Sequence, residues 1–198
     1  MTTDLLAGVP ARPGHFLLES GYHTDVWLTL DALFADPGDV APRVAALAER
    51  LRRHDVSAVC GPLMGGAFLA QGLATALGAA FYYAEPGPVL EGPGLFKATY
   101  RLPAELGRGA RGRRVAVVDD VISAASSVRA TIDALTAAGA SVAVVGTFLV
   151  LGHKGIEHFA AEGIPLETLA QRDLALWAAG ECPLCQQGTP LEDPLGLR

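Results

Sequence analysis

Residues 115–128, Val-Ala-Val-Val-Asp-Asp-Val-Ile-Ser-Ala-Ala-Ser-Ser-Val, carry the strongest chemical signal in the chain. Four apolar residues run into Asp119 and Asp120. A loop of small and hydroxyl residues follows, Ser123, Ala124, Ala125, Ser126 and Ser127, and a helical pattern begins at Val128. An apolar run bounded by polar residues suits a strand buried on both faces of a parallel sheet. The acids then fall at the carboxyl end of that strand, where open α/β sheets bind ligands. The loop can aim backbone N–H groups and hydroxyls at an anion as the next helix starts. Carboxylates for sugar hydroxyls beside an amide cup for a phosphate describe a sugar-phosphate site. The plainer alternative is a solvated strand end followed by a serine helix cap.

The elements that must position these groups are legible on either side. Apolar spacing at Val40, Val44, Leu47, Ala48 and Leu51 predicts an amphipathic helix over residues 40–53, starting near Asp39. Residues 56–60 read as a short buried strand, followed by a glycine turn at 61–66 and a helix over 66–77 stopped by Gly78. Residues 80–84 read as the next strand, 85–94 as a loop heavy in proline and glycine, and 96–102 as a strand returning from it. The motif strand covers 113–119, a helix 127–138 and a further buried strand 142–149. This alternation predicts an α/β fold, a twisted and mostly parallel sheet with helices on both faces. Without an internal repeat or linker, residues 1–198 read as a single domain: a small N-terminal hood over 1–35, a core over 36–180 and a C-terminal tail over 181–198.

Composition narrows the function classes. A chain of 198 residues, 51% of them hydrophobic, can bury a real core. No run reaches the roughly 18 uninterrupted apolar residues of a membrane span, so no membrane partner is expected. The start, Met-Thr-Thr-Asp, lacks the basic and apolar segments of a secretory signal. A formal net charge of −6 argues against nucleic acid as a partner. Three cysteines, Cys60, Cys182 and Cys185, make no disulfide framework, and a cytoplasmic location is the expectation.

The 115–128 segment resembles the 5-phosphoribosyl-1-pyrophosphate (PRPP) motif of type I phosphoribosyltransferases, in which a hydrophobic strand runs into two acids and a Thr-Thr-Gly-Gly-Ser-like loop. Three other segments narrow the likeness to the orotate phosphoribosyltransferase family: Gly14-His15-Phe16-Leu17-Leu18-Glu19-Ser20-Gly21, the Cys60-Gly61-Pro62-Leu63-Met64-Gly65-Gly66 turn, and the tail from Glu181 through Cys182-Pro183-Leu184-Cys185 to Gly188, Pro190 and Leu191. The likeness runs in order over roughly residues 5–192. It implies the type I phosphoribosyltransferase fold and transfer of a phosphoribosyl group from PRPP to a pyrimidine-like base, orotate by resemblance. It also implies Mg²⁺ with PRPP, pyrophosphate as product and a homodimer. Carried over, Asp119 and Asp120 would bind the ribose hydroxyls, Ser123, Ala124, Ala125, Ser126 and Ser127 would cup the 5-phosphate, and Trp27 would face the base.

Several positions depart from the family pattern. Ala125-Ser126 stands in place of Gly-Gly, Glu19 in place of a Lys or Arg, and Pro86 in place of a basic residue that contacts pyrophosphate. The mobile loop with its Lys-x-His-like signature has no counterpart, which leaves Lys97, Arg101 and Arg108 as the nearby cations. A second reading follows, a catalytically impaired binding or regulatory protein for a nucleotide monophosphate or phosphoribosyl group. A third is an enzyme acting on another base or phosphosugar. Cys182-Pro-Leu-Cys185 has the spacing of half a zinc site, but no second Cys or His pair lies nearby in sequence. It therefore reads as a tail with free thiols, ahead of a dimer-bridging Cys₄ site, and no metal ligand is assigned. His15 and His23 fall in the hood, where they could touch a base or be ordinary loop histidines. His153 and His158 read as capping or flanking a helix.

Overall fold

The computed structural model describes residues 10–29, 34–88 and 98–196. β1 (Ala11–Leu17) and β2 (His23–Leu28) form an antiparallel hairpin. The chain then runs through α1 (Pro37–Leu51), β3 (Ala58–Pro62), α2 (Gly65–Leu77), β4 (Ala80–Pro86), β5 (Tyr100–Arg101) and α3 (Ala104–Ala110). It continues through β6 (Arg114–Ile122), α4 (Ser126–Ala137), β7 (Ser141–Leu151), α5 (Lys154–Ala161), β8 (Leu166–Arg172) and α6 (Pro183–Gln186). The main sheet is six-stranded in the order β5-β4-β3-β6-β7-β8. Every pairing in it is parallel except the short β4–β5 ladder.

Alternation along β6 explains why this strand lies in the interior. Ala116 and Val118 pack with Leu47 and Leu51 of α1 and Leu69 and Leu73 of α2 on one face. Val115 and Val117 pack with Ala110, Val128, Leu135 and Phe159, from α3, α4 and α5, on the other. All four β6 side chains are fully buried, as a strand covered by helices on both sides requires. Burying one such side chain is worth about 1.5–3 kcal/mol, so the apolar run fixes the position of the acids that follow it.

The elements arise largely where the hydrophobic pattern places them, with differences that have local causes. The motif strand does not end at Asp119. β7 is long enough to pair Asp119 with Thr147, Val121 with Leu149 and Ile122 with Val150, so the acids lie inside β6. α1 starts at Pro37, ahead of Asp39, because the Asp36 carboxylate accepts the Gly38 N–H at 2.7 Å and proline fits the first helical turn. Glu85 and Pro86, expected in a loop, extend β4, while residues 89–94 of that loop lie outside the described residues. The strand expected over 96–102 is reduced to Tyr100–Arg101, with residues 96 and 97 outside the described set.

The hairpin and the end of the chain are joined. Leu17 N–H donates to the Glu192 carbonyl at 2.9 Å, and Glu192 N–H to the His15 carbonyl at 2.8 Å. His23 and Trp177 exchange backbone hydrogen bonds at 2.8 and 3.0 Å. Arg12 adds a two-pronged contact to the Glu192 carboxylate at 2.8 and 2.9 Å.

The end of β3 meets the start of α2 with no room for a side chain between them. A Cβ on Gly61 would sit 2.0 Å from the Gly66 carbonyl oxygen and 2.2 Å from its carbon, both backbone atoms. Gly61→Ala should therefore lower stability by about 1–3 kcal/mol, the usual cost of overpacking, read as a lower midpoint of thermal unfolding. An unchanged midpoint would mean that the turn has slack this geometry does not contain.

Candidate active site

Asp119 and Asp120 are each 8% exposed and floor a cleft at the carboxyl ends of the parallel strands. Their carboxylates are pinned. Asp119 Oδ2 accepts the Ser127 hydroxyl at 2.9 Å and Oδ1 the Asp120 N–H at 3.1 Å, while Asp120 Oδ1 accepts the Val121 N–H at 2.9 Å. The glycine turn presses against them. A Cβ on Gly65 would meet the Asp120 carboxylate at 2.7 Å, and one on Gly66 would meet Asp119 Oδ1 at 2.8 Å. Only glycine lets the turn at the start of α2 approach the acids this closely.

A cavity of ≈ 260 Å³ opens above the pair, walled by Leu18, Val26, Trp27 and Leu28 of the hairpin and by Ser123, Ala125, Ser126 and Ser127 of the loop before α4. Trp27 also packs at 5.9 Å, ring to ring, on buried Phe16. A second opening of ≈ 340 Å³ lies on the other side of the acids, bounded by Glu19, Pro62, Met64, Pro86 and Tyr100. A third, ≈ 420 Å³, lies behind the loop, where Ala124 and Ser126 meet Arg129 and Lys154. The buried Ser20 hydroxyl borders both the first and third openings and has no hydrogen-bond partner among the described residues.

The loop enters α4 through Ala125, whose φ of +64° lies in the left-handed region. A non-glycine residue pays about 1–2 kcal/mol there. Ala125 is nonetheless buried and packs with Ile122 and Val128, so its methyl group contributes to the core.

Most of the expected site residues converge: Asp119, Asp120, Ser123, Ala125, Ser126, Ser127 and Trp27 share one cleft. Ala124 borders the neighbouring opening instead. The Ser127 hydroxyl is engaged with Asp119, so it ties the loop to the acid pair. Arg101 does not line the cleft. Successive strand residues face opposite ways, and Tyr100 takes the inward side, which leaves Arg101 exposed and ion-paired with Glu85. Lys97 lies outside the described residues.

Sequence reasoning placed Glu19 as a departure from a pattern, and the structure brings it to the site. Tyr100 O–H donates to Glu19 Oε1 at 3.0 Å. Burial pushes the Glu19 carboxyl up, opposed by hydrogen bonds from Tyr100 and Ser126. Burial and the Glu19 charge push the Tyr100 phenol up too, so it stays a neutral donor. Arg129 and Lys154 were not singled out, because a single cation near the start of a helix looks like solvated surface. His15 and His23, read as either touching a base or being ordinary loop histidines, are not among the residues that line the cleft. Their rings meet Cys182 and Cys185 instead.

A parallel sheet with an acid pair inside its central strand, a glycine turn before one helix and a hydroxyl loop before another is the architecture of a nucleotide-forming transferase. The family model described as "Phosphoribosyl transferase domain" matches residues 36–159, and the chain belongs to that family. A relative from Thermotoga maritima named orotate phosphoribosyltransferase is 36% identical over 184 residues, covering 91% of this chain and 89% of its own. One of the same name from Caldanaerobacter subterraneus is 31% identical over 184 residues, covering 91% and 88%. The chain is thus an orotate phosphoribosyltransferase-like member of the type I phosphoribosyltransferases. Among solved structures, the orotate phosphoribosyltransferase of Aeropyrum pernix superposes with a TM-score of 0.63 at 25% identity, covering 81% of this chain and 87% of its own. The Mycobacterium tuberculosis enzyme, solved with inorganic phosphate, matches the fold with a TM-score of 0.63 at 20% identity, covering 85% and 92%.

The burial of Asp119 has a measurable consequence. Desolvation and the neighbouring Asp120 charge hold its carboxyl well above the ordinary carboxylate range. Below about pH 4 it is protonated in folded and unfolded states alike and costs nothing. As pH rises toward the raised folded value, the unfolded state ionises first and folding stability falls. Asp119→Asn keeps an oxygen for Ser127 and removes the charge. It should unfold at a higher temperature than the unmodified protein near neutral pH, with the two converging toward about pH 4. Thermal melts across pH would contradict this if the variant were no more stable at neutrality.

Proposed function

We propose that the protein transfers a phosphoribosyl group from PRPP to orotate, releasing pyrophosphate. The carrying observation is the buried pair Asp119–Asp120, held by Ser127 and by the glycine turn within one cleft. It is supported by relatives at 31–36% identity that bear that activity in their names and match nearly the whole chain.

In this reading each Asp119 oxygen already accepts one hydrogen bond and keeps a lone pair for a ribose hydroxyl. The 5-phosphate lies on loop 123–127, with Arg129 and Lys154 supplying positive charge from behind. A flat base enters between Trp27 and Val26, beside the hairpin. A base nitrogen forms the new bond to C1 as the bond from C1 to the pyrophosphate oxygen breaks, and the electron pair leaves with pyrophosphate. Positive charge grows on the sugar, and the carboxylates of Asp119, Asp120 and Glu19 stabilise it in a water-poor cleft. The same hard oxygen donors fit Mg²⁺, which Asp119 and Asp120 would hold. When bound, Mg²⁺ neutralises the charge that develops on the leaving group.

The second reading, a binding protein that has lost catalysis, draws on Glu19 and Pro86, which border the opening next to the acids where the family has cations. The extent of the match to enzymes favours the first reading. Steady-state assay of orotate consumption with PRPP and Mg²⁺ decides between them, with turnover expected. Asp120→Asn should lower kcat/KM roughly ten- to hundredfold, the worth of a charged hydrogen bond of about 1.5–3 kcal/mol. Glu19→Gln should tighten PRPP binding by removing a like charge. Absent turnover with intact binding of orotidine monophosphate would leave the binding reading in possession.

We also propose a homodimer. Met64 and Phe68 are 65% and 53% exposed and one helical turn apart, with Met64 bordering the opening next to the acids, and an exposed apolar pair there suits burial against a second subunit. Sedimentation at micromolar concentration should give a dimer; a monomer would refute it.

A further inference from the structure

Outside the cleft, four side chains from opposite ends of the chain converge. One ligand atom from each of His15, His23, Cys182 and Cys185 lies within 4.8 Å of every other. His15 Nε2 is 3.0 Å from His23 Nδ1, 3.4 Å from Cys182 Sγ and 3.7 Å from Cys185 Sγ, and Cys185 Sγ is 3.3 Å from His23 Nδ1. We infer that His15, His23, Cys182 and Cys185 form a structural zinc site that clips the N-terminal hairpin to the C-terminal tail.

The geometry carries the assignment. Zinc bonds of about 2.0–2.1 Å to nitrogen and about 2.3 Å to sulfur, arranged tetrahedrally, place ligand atoms about 3.3–3.8 Å apart. The four short separations fall in or just below that range. Hydrogen bonding alone does not account for the cluster. His15 Nδ1 lies 2.9 Å from the Thr189 carbonyl, which can only accept, so Nδ1 carries the proton and Nε2 presents a lone pair. One lone pair serves one donor well, yet three ligand atoms face it. A cation at their centre accepts electron pairs from all four. The Nδ1–H to carbonyl contact is also the usual outer support of a metal-bound imidazole.

Charge and burial agree. His15, His23 and Cys182 are 1%, 3% and 0% exposed. Two thiolates and two neutral imidazoles around Zn²⁺ sum to zero, so a buried site carries no net charge to desolvate. Binding releases one proton from each thiol. Four protein ligands leave no open position, which marks a structural site and not a catalytic one. A mixed sulfur and nitrogen tetrahedron selects zinc over harder cations such as Mg²⁺.

The fold explains how the ligands meet. Leu17 pairs with His23 across the hairpin, and His15, two residues before Leu17, shares that face. Cys182 precedes α6 and Cys185 lies within it, three residues on, so both thiols project from one side of a single turn. Cys60 is a different kind of thiol, buried in the core with its ionisation pushed up to about 12.

The full-length protein, purified under reducing conditions without chelator, should contain one zinc per chain by elemental analysis. A mercurial thiol reagent should release that zinc in step with the modification of Cys182 and Cys185, without any variant being needed. Cobalt substituted for zinc should show the near-ultraviolet band of cobalt–thiolate charge transfer, weakened in Cys185→Ser. His23→Asn and Cys185→Ser should lose the metal and lower the unfolding temperature by several degrees. Amide exchange in those variants should rise in residues 11–28 and 177–193 while the central sheet stays protected. Metal-free protein that binds neither added zinc nor cobalt would overturn the inference. So would a Cys182–Cys185 disulfide in the native protein, or a stoichiometric metal other than zinc.

Discussion

Two carboxylates inside a central strand, on a stretch that pairs with β7 but not with β3, set the terms for everything near them. A strand of that kind is cheap to bury where it is apolar and costly where it is charged, and β6 changes from one to the other between Val118 and Asp119. The surroundings hold the acidic half by hydrogen bonds, while burial itself favours the neutral form of Asp119. Backbone N–H groups and the Ser127 hydroxyl occupy part of the carboxylate lone pairs, and the Gly65–Gly66 turn closes over the acids with no side chain between. None of these partners is a cation. Burying Asp119 in this way, with its carboxyl held well above the ordinary carboxylate range, is a trade of stability for function at the site.

The same logic divides the cleft electrically. Glu19 and the two aspartates line its middle, whereas Arg129 and Lys154 sit behind the loop. A ligand with a phosphate at one end and a sugar carbon that becomes electron-poor in the middle fits that division. In the proposed function the pyrophosphate of PRPP would face the opening bordered by Glu19, Pro86 and Tyr100, where by resemblance Glu19 and Pro86 stand in place of basic residues. Tyr100 softens the clash by donating to Glu19 and holding it in place.

The sheet, the helices over both faces and the acid pair were legible because hydrophobic burial is periodic and local: Val115 through Val118 could be read as buried on both faces from four letters. The exact limits of strands were not, since the length of β6 is set by its pairing with β7 and not by its own residues. Arg101 misled for a related reason. Its charge is visible in sequence, but the face it takes depends on Tyr100 taking the other. The pairing of His15 and His23 with Cys182-Pro-Leu-Cys185 was hidden by distance along the chain. A motif search limited to neighbouring residues finds the two thiols and stops, because the partners come from a hairpin whose register alone puts both imidazoles on one side.

The junction between the hairpin and the tail gives the chain an order of assembly. During synthesis β1 emerges first, yet its partners Glu192, Thr189 and Cys182 emerge last, at separations of 180, 174 and 167 residues for the Arg12, His15 and His15 contacts. Closing so long a loop gains nothing until both ends exist, whereas the central βα units can pack as they leave the ribosome. The wall of the cleft that carries Trp27 is then the last part of the molecule to be secured. The sheet and its acids can be native while the pocket above them is still open, and completion of the binding site waits on residues 182–192.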